Sequence, residues 1–230
     1  MRKFLEFKAV HTEPIQRYQR QVRSLYDGPK GAFLATASKL SLHEPLMGGV
    51  FRRREYDVST CRELLDLGCG AGQIVGHLLK CAPPEAQVTA CDLSHRMLTR
   101  ARTRLGQPPR VTFATADIRH LPFGDDRFDS VSCGLVLEYL PDPRPALAEI
   151  ARVLKPGGKT LLFVTENTIP GYLTSHTWKC RTFSRAEFRD ACRDSGLEWR
   201  RELWFSPVHR LLRLGGILIE ARKPLAPGLI

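Results

Sequence analysis

The chain has 230 residues, 43% of them hydrophobic, which suffices for one α/β domain with a full core and a small appendage. Its formal charge is +11, and no repeat, low-complexity stretch or run of 18 apolar residues occurs, so fibrous, disordered and membrane-spanning classes are excluded as expectations. Seven cysteines, an odd number without a CxxC pair, indicate neither a zinc site nor a disulfide framework, and no metal is expected. A reducing cytoplasm fits that usage, with a place at the membrane periphery left open. The first eight residues are basic, but charges interrupt every apolar stretch, unlike a signal peptide. The charge is uneven. Residues 1–60 and 171–230 each hold eleven basic against six acidic residues, while 61–170 carry the remaining +1. Basic flanks suit either solubility or an anionic partner.

Residues 13–27 read as a helix through Ile15, Tyr18, Val22, Leu25 and Tyr26, stopped by Asp27-Gly28-Pro29. A second helical pattern covers 30–42. Residues 43–60 show no clear period and hold the run Arg52-Arg53-Arg54, a solvated face or a phosphate contact. From Glu63 the pattern turns regular: strand 63–67, helix 72–81, strand 87–91, helix 94–105 with Ser94 as N-cap, strand 111–115, strand 128–133, helix 143–154 stopped by Lys155-Pro156-Gly157-Gly158, and strand 159–165. Such alternation predicts a parallel sheet with right-handed crossovers. Residues 166–183 read as a long connection. Ser184 caps a helix to about Ser195-Gly196, with Glu187 as its capping-box partner. Strands near 197–206 and 215–222 follow without an intervening helix, which predicts a strand pair with one antiparallel member.

Open α/β sheets bind ligands at their strand ends. The first strand ends in Asp66-Leu67-Gly68-Cys69-Gly70-Ala71-Gly72, and a helix starts at Gln73. Glycines so spaced permit a sharp turn and close approach of backbone to a ligand, above the free N–H groups of the new helix. Asp92 ends the second strand, where a carboxylate can accept both hydroxyls of a ribose. Asp117 ends the third, where it can accept from an exocyclic amine. Cys133-Gly134-Leu135 leave the fourth, followed by Glu138 and Tyr139. The nicotinamide fingerprint is G-x-G-x-x-G. Here the third glycine, Gly72, comes one position early and Gln73 takes its place. Asp66 would repel a pyrophosphate but not a ligand carrying an ammonium or a sulfonium.

On these residues the chain resembles the class I S-adenosylmethionine-dependent methyltransferases, in the ubiquinone/menaquinone-biosynthesis-like branch (methyltransferase type 11). The matching segments are Asp66 to Gly72, Asp92-Leu93-Ser94 with Met97-Leu98, Ala116-Asp117-Ile118 with Leu121-Pro122-Phe123, Phe128-Asp129-Ser130-Val131, and Arg152-Val153-Leu154-Lys155-Pro156-Gly157-Gly158. The likeness is specific over about 60–165 and loose over 166–222. It implies a Rossmann-like three-layer sandwich: a mostly parallel seven-stranded sheet with an antiparallel C-terminal strand, plus an N-terminal helical cap. Residues 1–60 would form the cap or lid and 61–230 the cofactor-binding domain, with the acceptor region mainly in 166–215. S-adenosyl-L-methionine is the implied cofactor. The turn of Gly68, Cys69, Gly70 and Gly72, supported by Asp66, would hold its methionine end. Asp92 would take the ribose hydroxyls, Leu93 and Met97 would line the adenine, Asp117 would take the adenine amine, and the Ile118 backbone a ring nitrogen. Cys133 would offer its backbone carbonyl to the ammonium, and it lacks the Pro-Cys context of a nucleophile.

Methyl transfer is an in-line displacement at a carbon the sulfonium already activates, and a general base is needed only if the acceptor must lose a proton. No catalytic residue is therefore assigned. Candidates are Glu138 and Tyr139 after the fourth strand, His176 with Tyr172 and Trp178 in the long connection, and His43, Tyr18 and Tyr26 near the cap. The implied function is methyl transfer to a small-molecule acceptor, a quinone, lipid or other metabolite-like compound. The alternatives are an RNA or protein methyltransferase using the basic flanks, or a non-catalytic cofactor-fold module. Nucleic acid is disfavoured as a partner: the fourth strand lacks the Asn/Asp-Pro-Pro-Tyr/Phe element used on base amines, and no RNA-binding module occurs. The basic first 60 residues suit contact with an anionic membrane or a lid over a soluble molecule. The oligomeric state is left open.

Overall fold

A computed structural model describes residues 43–212 and 216–225. The helices expected over 13–27 and 30–42, and with them Tyr18 and Tyr26, lie outside the described residues. Seven strands form one sheet: β1 (Glu63–Leu67), β2 (Gln87–Asp92), β3 (Val111–Thr115), β4 (Phe128–Gly134), β5 (Leu154–Val164), β6 (Glu198–Glu202) and β7 (Ile217–Arg222), in the order β3-β2-β1-β4-β5-β7-β6. All neighbours run parallel except β7, which is antiparallel to both β5 and β6. The helices are α1 (His43–Arg52), α2 (Gln73–Cys81), α3 (His95–Leu105), α4 (Arg144–Val153), α5 (Ile169–Trp178), α6 (Arg185–Asp194) and α7 (Pro207–Leu212), with a 3₁₀ turn at Leu137–Tyr139.

Strand alternation sends successive side chains to opposite faces. Leu64 joins the core shared with Met47, Phe51, Val75, Leu78 and Leu98. Leu65 and Leu67 join the core shared with Leu147, Ile150, Phe188 and Ala191. Helices thus cover both faces, giving three layers, and each fully buried leucine contributes about 1.5–3 kcal/mol.

Four segments differ from the sequence reading. Residues 43–52, without a clear period, form α1. β5 begins at Leu154, not at 159: Leu154 pairs with Phe128, a register irregularity follows, and Gly157 and Gly158 exchange backbone bonds with Lys223 beyond β7. Lys155-Pro156-Gly157-Gly158 is therefore the irregular start of a strand. The connection 166–183 contains α5, opened by Thr168, whose hydroxyl accepts from Gly171 N at 3.2 Å. Between β6 and β7 lies α7. The expected caps do form, since the Ser94 and Ser184 hydroxyls accept from Met97 N and Glu187 N at 3.2 and 3.1 Å. The Glu187 carboxylate, however, pairs with Arg181.

Two motif residues outside the glycine turn are structural staples. Asp129 accepts from Arg62 N and Glu63 N, both at 2.8 Å, and from Lys155 Nζ at 2.6 Å, joining the starts of β1 and β5. Burial works to raise its pKa, but these donors outweigh it and hold the carboxyl below its ordinary value. Arg152 pairs with Glu149 and Asp125 and donates to the carbonyls of Phe123 (2.8 Å) and Leu121 (3.1 Å), pinning the segment after Asp117 to α4. In the basic run, Arg53 donates to the carbonyl of Phe205 at 2.8 Å and pairs with Glu55.

Candidate cofactor and acceptor site

The parallel strands β1, β2 and β4 end side by side, and their last residues build the site. Gly68, Gly70 and Gly72 all have positive φ (65°, 53° and 80°), the conformation that favours glycine. A Cβ on Gly68 would lie 2.1 Å from Val136 Cγ2, so the turn is sealed against the segment leaving β4. Gly72 caps α2 in the left-handed conformation. Asp92 locks the turn to β2: one carboxylate oxygen accepts from Gly70 N at 2.9 Å and the other from Ser94 N at 2.8 Å. The Gly70 N–H is thus directed at Asp92. Each carboxylate oxygen can accept more than one hydrogen bond.

Asp66 is buried, with one oxygen accepting from Ser132 Oγ at 2.6 Å. Its other oxygen, Oδ2, is buried and meets no hydrogen-bond partner among the described residues. Burial pushes this carboxyl up to about 7, the Ser132 bond works to lower it, and Asp92 adds to the rise. A buried acceptor without a donor is costly, and a cationic donor would relieve it. Cys133 is fully buried next to this group, and burial drives its thiol well above its usual range. Cys69, also buried, is shifted upward for the same reason. Neither thiol has nucleophile character.

The adenine side is assembled less openly. Met97 is buried, its Cε 3.5 Å from where a Cβ on Gly70 would lie, and Leu93 and Ile118 are half-buried. The Asp117 carboxylate is gripped by its own neighbour, Arg119, through Nε at 3.1 Å, Nη2 at 2.6 Å and the backbone N–H at 3.0 Å. Burial works to raise Asp117, and these contacts lower it overall.

Glu138 is buried and accepts from Thr165 Oγ1 at 2.8 Å, while its carbonyl accepts from Arg181 N at 2.9 Å. It thereby joins the turn after β4, the end of β5 and the segment after α5. Its Oε2 meets no partner among the described residues, and burial raises the carboxyl to about 7 against the Thr165 bond. Tyr139 is half-buried in the same turn. His176 is exposed on α5, its ring 4.3 Å from that of Tyr172, and Trp178 is half-buried at the end of that helix. These residues gather at one end of the sheet without forming a single cluster. Ser132, Arg119 and Thr165 were not among the expected site residues. Arg119 carried a local signal, two residues after an aspartate. Ser132 and Thr165 depend on strand pairing. Among the described residues no group of His, Cys, Asp and Glu could hold a metal ion, and no helix is long and apolar enough to cross a membrane.

A seven-stranded sheet of this order, with a glycine turn after β1 and carboxylates at the ends of β1, β2 and β3, defines a Rossmann-like S-adenosylmethionine-dependent methyltransferase domain. Residues 65–162 match the family described as the methyltransferase domain. The chain is 36% identical over 142 residues to a demethylmenaquinone methyltransferase of Clavibacter sepedonicus, covering 62% of this chain and 57% of that protein. It is 34% identical over 140 residues to a ubiquinone/menaquinone biosynthesis C-methyltransferase of Cupriavidus pinatubonensis, covering 57% and 58%. The chain therefore spans under three fifths of these relatives' length. The fold is shared with a chain in the Haloferax volcanii complex of the Trm112 methyltransferase activator and a methyltransferase, at TM-score 0.71 and 24% identity, covering 89% and 98% of the two chains. It is shared also with the Streptomyces coelicolor geranyl diphosphate C-methyltransferase, at TM-score 0.69 and 16% identity, covering 92% and 100%. Residues 65–162 thus carry a methyltransferase domain, and the chain is similar to methyltransferases of ubiquinone and menaquinone biosynthesis.

Proposed function

We propose that the protein transfers the methyl group of S-adenosylmethionine to a small-molecule acceptor of quinone-, lipid- or other metabolite-like chemistry. The observation that carries the reading is the unpartnered, buried Oδ2 of Asp66 below the glycine turn. A cofactor with an ammonium group supplies the donor this oxygen lacks, and a pyrophosphate does not. The cofactor brings an electrophilic methyl carbon on a sulfonium; the remaining work is positioning, which accounts for roughly 7–11 kcal/mol of such a barrier.

In this reading the turn from Gly68 to Gly72 holds the methionine end, with Cys69 inside it and the Cys133 carbonyl facing the ammonium. Asp92 takes the ribose hydroxyls. Leu93 and Met97 flank the adenine, and the Ile118 backbone meets a ring nitrogen. Asp117 takes the adenine amine while Arg119 fixes the carboxylate. Glu138 is a positioning residue that fastens the acceptor segment to β4 through Thr165. No side chain is assigned as a general base.

S-adenosylhomocysteine binding to the native state should raise the melting temperature. No shift at millimolar concentration would overturn the proposal. A screen with methyl-labelled cofactor against quinols, phenols, lipids, amines and total RNA would then identify the acceptor class. Transfer to RNA alone would favour the nucleic-acid alternative.

A further inference from the structure

Five large apolar side chains stand exposed among the described residues, and four of them sit on two short helices: Ile169 and Leu173 on α5 (72% and 64% exposed), Val208 and Leu211 on α7 (60% and 83%). Scattered exposed leucines are ordinary, but a concentration on one rim is not. Both helices leave the same end of the sheet. β5 and β6 are each antiparallel to β7, so they run together, and β5 is parallel to β4. α5 and α7 therefore start beyond the strand ends that carry the candidate site. The two exits are tied together. Arg185 pairs with Glu166, just after β5, and with Glu202, at the end of β6. The rings of Phe163 and Phe205 meet edge to face at 5.4 Å.

The charge on this rim has one sign. Residues 167–179 and 203–212 contain no aspartate or glutamate, yet they hold the cations Lys179 and Arg210. The nearest carboxylates, Glu166 and Glu202, are already engaged by Arg185. An apolar surface flanked by cations, in segments without acids, complements an anionic lipid headgroup layer over a hydrocarbon interior. A second copy of the chain would set these cations against one another. So would the 42 residues preceding α1, which hold eight basic and three acidic residues. A soluble polyanion would leave the four apolar side chains in water.

We propose that the α5–α7 rim docks on an anionic phospholipid surface, turning the mouth of the candidate site toward the bilayer. On the methyl-transfer reading, the acceptor is then an apolar-tailed molecule drawn from that bilayer; the docking itself does not depend on that reading.

The test is flotation of the full chain with vesicles of phosphatidylcholine, with and without phosphatidylglycerol. The chain should float with the anionic vesicles, less so as salt rises, and not with the neutral ones. Leu173→Glu combined with Leu211→Glu should raise the lipid concentration for half-maximal binding about ten-fold or more. A cooperative thermal melt of the variant establishes that it folds, and Leu173→Ser with Leu211→Ser serves in its place if it does not. Failure to float with anionic vesicles, or equal flotation of folded variant and parent, overturns the docking proposal. Loss of a dimer in the variant, without any vesicle binding by the parent, would assign the rim to a second copy and overturn it too. Absence of a melting shift with S-adenosylhomocysteine overturns the methyl-transfer reading separately, without touching the flotation result.

Discussion

Gly68 is where residue chemistry is least negotiable. Its φ of 65° strains any L side chain by about 1–2 kcal/mol. The added Cβ would also sit 2.1 Å from Val136 Cγ2, an overpacking that typically costs about 1–3 kcal/mol. Gly68→Ala should therefore lower unfolding free energy by about 2–5 kcal/mol. Adding Val136→Ala should recover the steric part and leave the strain, as a denaturant midpoint between parent and single variant. Full recovery would mean that strain at this φ contributes nothing. This glycine was legible in the sequence because positive φ restricts residue type and the spacing sits between a strand and a helix. The partner of Asp66 was not. Ser132 stands 66 positions away and reaches Asp66 only because β1 and β4 pair with these two residues opposite each other. The grip of Arg119 on Asp117 lies between these cases: it is local in sequence, but its bidentate geometry appears only in three dimensions.

Elements followed the sequence where hydrophobic period and caps agreed. β1, β2, β3 and β4 and the helices after Gly72, Ser94 and Ser184 all emerged that way. Reading failed where the neighbours decide. Pro156 and two glycines signal a stop, but β4 and the chain beyond β7 supply partners that draw the segment into β5. α7 escaped notice because it is only six residues long, and α5 because Pro170 and Gly171 fall in its first turn. The motif residues Asp129 and Arg152 show how family signatures encode scaffolding between elements as well as ligand contact. Asp129→Ala removes one acceptor shared by two backbone N–H groups and a lysine. Leaving partly buried donors unsatisfied should cost about 2–3 kcal/mol. Arg152→Lys retains the charge but loses the fork that reaches Glu149, Asp125 and two carbonyls at once. It should loosen the 117–123 segment, seen as faster amide exchange there with little change at Gly68 to Gly72. Uniform exchange across both segments would contradict that assignment.

At the scale of the whole molecule, the two buried carboxylates couple folding, acidity and ligand. Asp66 and Glu138 are both raised to about 7 by burial, whereas unfolded carboxyls titrate near about 4. Between these values the native state holds protons that the unfolded state has released. Stability should therefore fall as pH rises through that window, by at most about 1.4 kcal/mol per pH unit per group, and level off above about 7. Asp66→Asn should make the slope shallower and leave the contribution of Glu138. Ligand binding reverses the preference at one of the two groups only. An ammonium beside Asp66 favours the ionised carboxylate, so affinity for S-adenosylhomocysteine should weaken below about pH 7, by up to about ten-fold per unit. The melting shift it produces should grow from about pH 6 to pH 8 in the parent protein and in Glu138→Gln, and should be flat in Asp66→Asn. A pH-dependent shift that survives Asp66→Asn but disappears in Glu138→Gln would move the cationic end of the ligand from the glycine turn to the acceptor side of the sheet.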